Sequence, residues 1–437
     1  MSVWTILLVI AVLAVAIVGG FYVWWNTRVK TYTPQFGTKP SIPSAQPQGA
    51  VPMLKMPTAR GWVGGTKPRT AAGLKVAVFA EKLKHPRWVY ALPNGDVLVA
   101  ESATIPRKVS GFMDYAMNRT MKRAGATFPN ANQITLLRDA DGDGVPEIRE
   151  VFLKGQHQPF GMALIGSTLY VGNSNSVVAF PYEDGQTSIE AQGKTIFTMK
   201  DGGHWTRNLI PSADGTKLYV AIGSLSNIAE EGFEVEEGRA CIVELDLTTG
   251  QNREFAGGLR NPVGMAWEPP DGKLWTVVNE RDGLGDETPP DYLTSVKDGG
   301  FYGWPYSYWG DTVDDRVQPQ RTDLVAKATA PDYALGGHTA SLGLCWLPAG
   351  TLPGLPEGMV IGQHGSWNRS KLSGYKVILV PFKDGKPSGE PIEILGGFLS
   401  EDEKFSNGRP VGVALAKDGA LLVADDVGHI VWRVTAA

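Results

Sequence analysis

Six times along the chain the same short unit returns, and no other feature restricts the possible fold as much. Each copy has an anchor residue, a short apolar strand, a turn containing Gly or Pro, and a second strand rich in Val, Leu and Tyr. The copies open at His85 (HPRWVYALPNGDVLVAES), Gln158 (QPFGMALIGSTLYVGNS), His204 (HWTRNLIPSADGTKLYVAIGS), Asn261 (NPVGMAWEPPDGKLWTVVNE), Ser341 (SLGLCWLPAG) and Arg409 (RPVGVALAKDGALLVADD). They follow one another at intervals of roughly 50 to 80 residues. Short strands parted by turn signals at such intervals predict propeller blades carrying loop insertions. A four-stranded blade buries its apolar faces against its neighbours, and ring closure limits exposed strand edges. Six copies therefore predict an all-β fold, a six-bladed β-propeller. Equivalent blade-opening positions project toward one end of the central channel, which would gather His85, Gln158, His204, Asn261 and Arg409.

Composition narrows the function classes. A formal charge of −4 on 437 residues gives no field that would hold the molecule on nucleic acid, so that partner is excluded. The two cysteines, Cys241 and Cys345, each lie in an apolar run; C-x-x-C-H heme attachment and paired zinc C-x-x-C motifs are absent, and buried core thiols are expected. Two stretches break the repeat and read as insertions. Residues 106–130 carry Met113, Met117 and Met121 at helical spacing, the mark of one packed helix face, and residues 310–337 are rich in Asp and Pro.

Residues 3–25 contain no charged side chain, a length that at about 1.5 Å rise per residue spans a hydrocarbon layer of about 30 Å. One N-terminal transmembrane helix preceding the propeller is expected. Ala14-Val15-Ala16 resembles a signal-peptide cleavage site, but a basic n-region is missing and apolar sequence continues past it. The expected organisation is an anchor over 1–27, an extended Pro- and Gly-rich linker over 28–72, and a catalytic propeller over 73–437. Arg28, Lys30, Lys39, Lys55, Arg60, Lys67 and Arg69 follow the helix with no acidic residue before Glu81. Taken alone, the positive-inside rule would put the body in the cytoplasm.

Two local patterns carry chemistry. Asp139, Asp141 and Asp143, with Gly144 and then Glu147 and Glu150, have the spacing of a calcium loop, in which alternate carboxylates converge because Gly allows a sharp turn. The strand-like flanks ITLL and REVFL predict a calcium-stabilised hairpin or blade edge, and a solvated acidic turn without metal is the alternative. His204, in GGHWTRN just before a blade strand, is a candidate general base, since imidazole near neutrality can take a proton from a hydroxyl. A structural histidine is the alternative there. Arg207 and Asn208 follow it closely.

The run LRNPVGMAWEPPDGKLWTVVNERDG, followed by KDGGFYGWP, joins a charged blade opening to an acidic loop and a Gly-aromatic segment. This stretch resembles the soluble glucose dehydrogenases and the L-sorbosone or aldose sugar dehydrogenases that depend on pyrroloquinoline quinone (PQQ). The order of motifs matches from about residue 73 to the C-terminus. The resemblance implies PQQ and Ca2+ as cofactors, His204 as general base, and Arg260 and Asn261 as the pair beside substrate and cofactor. It places the calcium that faces PQQ at Asp282 and Gly283. The cofactor's three carboxylates call for cationic donors, for which Arg369 and Lys371 in QHGSWNRSKLSGYKV and Arg409 in NGRPVGV are the counterparts. Arg207, Asn208 and Gln158 complete the cofactor-binding candidates, with Gln156 as the alternative to Gln158. His338 and His364 read as rim residues. Ser224 stands where the soluble enzymes have an acidic partner for the base, leaving Glu280 or Asp282 to orient His204.

By that resemblance the expected reaction is oxidation of an aldose or sorbosone-like sugar to a lactone or acid, with hydride passing to PQQ. Electrons would then go to an external quinone or cytochrome, at a bacterial inner membrane with the catalytic domain in the periplasm. Two rivals stand beside it: a calcium-dependent lactonase on the same fold, which needs metal carboxylates at the hub, and a non-catalytic binding propeller.

Overall fold

The computed structural model describes residues 2–27, 35–48, 53–106, 108–269 and 272–437. The basic residues Arg28 and Lys30 lie outside them.

Each repeat is the inner hairpin of a four-stranded antiparallel blade. The six inner strands are Pro86–Ala91, Met162–Ile165, Leu209–Pro211, Pro262–Glu268, Ser341–Leu347 and Pro410–Leu415. The second strands, Val97–Glu101, Thr168–Asn173, Lys217–Ile222, Lys273–Val278, Gly358–Gln363 and Leu421–Asp425, run back along them. Pro86 faces Glu101, Pro262 faces Val278 and Pro410 faces Asp425. The start of every first strand and the end of every second strand therefore lie at the same end of the channel, here called the mouth.

The ring closes across the chain ends. Blade six takes three strands from the C-terminus, ending with Ile430–Ala436, and its outer strand Leu74–Ala80 from the beginning of the ring. Leu422, Ala424 and Val431 of this blade pack with Val89, Val97 and Val99 of blade one in one buried cluster. At about 1.5–3 kcal/mol for each fully buried side chain of this size, such clusters between neighbouring blades dominate the cohesion of the fold.

Sequence reading misplaced some edges. The stretch 310–337 is not wholly an insertion, since its last residues, Tyr333–Gly337, form the outer strand of blade four. The Met-rich segment does form a helix, Phe112–Arg123, in the mouth-side connection of blade one. Cys241 is buried but Cys345 is partly exposed. Between the N-terminal helix and the ring, the described chain is extended and docked. Phe36–Gly37 extends blade four, Arg69–Thr70 extends blade five, and Thr58–Ala59 pairs with Phe405–Ser406.

The N-terminal helix covers Val3–Thr27, with Val3, Trp4, Leu8, Val15 and Ile17 exposed. The side chains at 11, 18 and 21–27 are not among those described. Among the described residues no helix is long and apolar enough to cross a membrane, so the transmembrane span expected from the sequence is not supported.

Candidate active site at the channel mouth

His204 sits in the loop before the inner strand of blade three, half-buried. Its Nδ1 donates to the Ser224 carbonyl at 2.8 Å, and the Ser224 hydroxyl lies 3.0 Å away. That contact puts the proton on Nδ1 and leaves Nε2 as an acceptor. The neutral form is strongly favoured: burial first, and then the charge of Arg260, lower the ring to about 3. Ser224 therefore orients the histidine through its main chain, rather than Glu280 or Asp282 through a carboxylate. The approach is close: a Cβ on Gly223 would lie 2.3 Å from Asn261 Oδ1 and 2.5 Å from His204 Cβ, so only glycine fits between the two residues.

Arg260 and Asn261 open blade four beside it. Arg260 donates to the carbonyls of Asn227 and Glu280 and to Asn227 Oδ1, and its Nη2 lies 3.8 Å from Asp282 Oδ2. Asn261 Oδ1 is buried without a hydrogen-bond partner, an uncommon condition for a polar atom in a packed interior. The sequence-derived trio of His204, Arg260 and Asn261 is thus one group in space.

A second group, only partly foreseen, joins blades one, five and six. Arg87 Nη1 is 2.5 Å from Asp426 Oδ2, and His364 Nε2 is 2.8 Å from the same oxygen. Arg409 donates to the carbonyls of His364 and Gly365 at 2.8 and 2.7 Å. Arg87 Nε and Asp426 Oδ1 are buried with no partner, and the Arg87 guanidinium stands over Trp205 at 5.4 Å. Arg87 and Asp426 were not singled out by sequence reading. The available signal was their place two residues into an inner strand and one past the end of a second strand, both mouth positions.

Other expected site residues are elsewhere engaged. Arg369 is fully buried and bonded to Lys371 O, Asp286 O, Gly337 O and the Glu287 carboxylate; it braces loops and has little capacity left for a cofactor. Lys371 is exposed. Arg207 is buried against the carbonyls of His204, Thr206 and Lys200, so it supports the backbone around His204. Asn208 Oδ1 accepts from the N–H of Leu209. Gln158 is buried and donates to Ala103 O, whereas Gln156 is partly exposed beside Asn173. Three residues that precede inner strands, His85, Gln158 and His338, have left-handed φ of 63°, 48° and 54°, strain that concentrates at functional loops.

The calcium-loop residues form a hairpin between the third and fourth strands of blade one, Gln133–Arg138 and Ile148–Leu153. Ligand atoms of Asp139, Asp141, Asp143 and Glu147 lie within 4.8 Å of one another, a hard-oxygen set that fits Ca2+. Glu150 is not in this group; it has passed into the outer strand, opposite Leu136. By strand direction the hairpin is at the end opposite the mouth, so an ion there would brace the blade. The loop expected to hold calcium against the cofactor does not fit a metal. Asp282 Oδ1 bonds His338, the Asp282 carbonyl takes Arg281 and Asn227, and the Gly283 carbonyl takes the N–H of Gln48.

The remaining mouth charges do suit an anion. Arg87 pairs with Asp426, Arg409 lies nearby on the His364 and Gly365 carbonyls, and Arg260 and His338 face a second carboxylate, Asp282. Although burial pulls His338 down, its hydrogen bond and charge interaction with Asp282 raise it overall. Asp426 is held well below the carboxylate range, against its burial, by His364 and His85 and then by its bond to His364. Four cationic side chains, Arg87, Arg260, Arg409 and His338, thus gather at the mouth beside Asp282 and Asp426, and the orphaned Arg87 Nε adds donor capacity. This is the provision a polycarboxylate requires.

Burial lowers His364 to about 3, and raises Glu280 to about 7 and Asp425 to about 6. The two kinds of group act oppositely on stability. A histidine lowered in the fold contributes stability above its ordinary value, lost as pH falls toward about 3. A raised carboxyl contributes below its ordinary value, lost as pH rises through about 6 to 7. They oppose between roughly pH 4.5 and 6.5, and below that window the lowered histidines and the depressed carboxylate of Asp426 both lose stability as pH falls. The thermal midpoint is expected to drop steeply below about pH 4.5, and His364→Gln should make the drop shallower in a pH series of melts. An unchanged slope would refute the assignment.

Fold and mouth together define a six-bladed propeller with a neutral histidine close to Arg260 at one end of its channel. The family model described as TrAA12-like matches residues 130–291 and 310–437, and the chain belongs to that family. A PQQ-dependent sugar dehydrogenase of Hypocrea jecorina is 28% identical over 173 residues, 33% of this chain and 40% of that protein. The holo PQQ domain of a Coprinopsis cinerea pyranose dehydrogenase superposes with a TM-score of 0.69 at 20% identity, over 87% of this chain and 100% of that one. A calcium structure of the Trichoderma reesei AA12 enzyme gives 0.69 at 19% identity, over 89% and 100%. The chain spans 60% or less of the length of the curated relatives it matches.

Proposed function

We propose that the chain is a PQQ-dependent dehydrogenase oxidising an aldose or a sorbosone-like sugar to a lactone or acid. The observation that carries this reading is the neutral His204, with Nε2 directed away from its Ser224 anchor, inside a mouth that gathers Arg87, Arg260, Arg409 and His338. PQQ, when bound, supplies a two-electron hydride acceptor. Arg87 and Arg409 are the side chains to hold its carboxylates, and Asn261 offers an acceptor to the same space. His204 Nε2 takes the sugar hydroxyl proton as the carbon loses hydride, and Ser224 keeps the imidazole in the tautomer that can do so. Arg260 provides positive charge beside that transfer. The mouth carboxylates Asp282 and Asp426 are both held by histidine or arginine, which counts against the lactonase reading.

Calcium is proposed at the Asp139–Glu147 hairpin. The exposed apolar side chains of the N-terminal helix are proposed to bind a membrane, with the propeller on the periplasmic face of a bacterial inner membrane and electrons passing to a respiratory quinone or cytochrome. Flotation of the full chain with liposomes would test the membrane part, and a protein that stays at the bottom of the gradient would end it. The reaction is tested by dye-linked oxidation of an aldose panel with and without added PQQ. Turnover that appears only with PQQ supports the reading; none on any sugar, with no PQQ bound, refutes it.

A further inference from the structure

The loop after Val278 is the place where the family resemblance puts a metal ion, and there the carbonyls of residues 282–285 and one oxygen of the Asp282 carboxylate already accept from proton donors of the chain, with Glu280 Oε1 the buried oxygen left unpartnered. Gln48 N–H reaches the Gly283 carbonyl at 2.9 Å and Gln46 N–H the Leu284 carbonyl at 2.7 Å. The Asp282 carbonyl accepts from Asn227 Nδ2 at 3.1 Å and from Arg281 Nη2 at 2.8 Å. His338 lies between the remaining two acceptors, with Nδ1 at 3.1 Å from Asp282 Oδ1 and Nε2 at 2.8 Å from the Gly285 carbonyl. An imidazole with an oxygen acceptor at each nitrogen carries a proton on both and a positive charge on the ring.

We infer that this loop is closed by the chain's own donors, and that the His338 ring stands where a mouth metal would otherwise be bound. Several features support this beyond the ring itself. The donors Gln46 and Gln48 belong to the described N-terminal stretch 35–48, which is tied to a further mouth loop: Asn368 Nδ2 donates to Gln48 Oε1 and to the Met53 carbonyl, while Asn368 Oδ1 accepts from Gly283 N–H. The Asp282 carboxylate is shared with a second cation, since Arg260 Nη2 lies 3.8 Å from its Oδ2. A divalent ion would have to displace a buried imidazole, two backbone N–H groups and a guanidinium, each of which would then lose its acceptor. Stranding such groups is unfavourable, and a Ca2+ ion needs six to eight oxygens at about 2.3–2.6 Å, more than the loop has left. In the proposed reaction, which this inference deepens, positive charge near the base then comes from Arg260 and His338 and not from a metal.

Counting calcium tests this without PQQ or turnover, so its failure is distinct from failure of the proposed function. The full chain is equilibrated with calcium chloride, desalted, and measured by atomic emission, as wild type, as Asp282→Asn and as Asp139→Ala/Asp141→Ala. Asp282→Asn is expected to carry as much calcium as wild type, and the double variant none above the buffer blank. A wild-type chain with two ions, or with one that Asp282→Asn removes and the double variant keeps, overturns the inference. If the double variant does not fold, the comparison of wild type with Asp282→Asn still decides it.

Discussion

His204→Ala is expected to lower kcat for sugar oxidation by about a hundredfold to ten-thousandfold, the usual worth of a positioned general base, while PQQ affinity stays within a few-fold of wild type. The split follows from the geometry. The imidazole is anchored through Nδ1 by Ser224, so its free Nε2 is positioned for a proton and makes no charged contact of the sort that holds a carboxylate. The burial and neighbouring Arg260 that lower the ring to about 3 also keep it neutral across the working pH range, so the loss should be nearly constant from about pH 6 to 9. Stopped-flow reduction of the PQQ-loaded chain with excess sugar, beside a PQQ titration of each variant, separates the two readouts. A variant that binds PQQ normally and reduces it at the wild-type rate would remove His204 from the chemistry.

How much of this was legible beforehand depended on whether a residue's role was local. The inner hairpins were readable because an apolar strand, a turn and a second strand are contiguous in sequence. Hairpin direction then places His204, Arg260 and Asn261 at one end of the ring. The Asp139–Glu147 hairpin was readable for the same reason, and Glu150 was lost only because the turn ends sooner than the motif assumes. The misreadings at the mouth concern pairing between distant segments. Arg369 and Arg409 look alike in sequence as basic residues in mouth loops. Glu287 and the carbonyls of Asp286 and Gly337 consume one guanidinium, while the other spans blades five and six. Nothing near Arg87 announces Asp426, 339 residues away. The N-terminal segment has no apolar periodicity from which to infer docking, because its strands are two residues long and held by backbone pairing. Asp282 was rightly placed at the mouth, but its partner His338 comes 56 residues later, and that pairing decides what the carboxylate can bind.

Arg87→Met should weaken PQQ binding by about ten- to a hundredfold and also destabilise the chain, and the two losses have different causes. The first is the removal of a charge-assisted contact, worth about 1.5–3 kcal/mol when a hydrogen bond involves a charged group. The second comes from Asp426, whose side chain is 1% exposed; without Arg87 it keeps only His364 and a distant His85 at 3.7 Å. Breaking a buried pair from one side costs about 3–5 kcal/mol, mostly because the partner charge is stranded. Removing that partner as well should therefore restore much of the stability: in Arg87→Met/Asp426→Leu no carboxylate is left uncompensated, although His364 loses its acceptor and recovery will be partial. PQQ affinity should not recover, because the cation is still missing. Thermal melts and PQQ titrations of wild type, the single variant and the double variant give both quantities. Affinity that returned together with stability would mean that Arg87 shapes the mouth without touching the cofactor, leaving Arg409 as the side chain that meets its carboxylates.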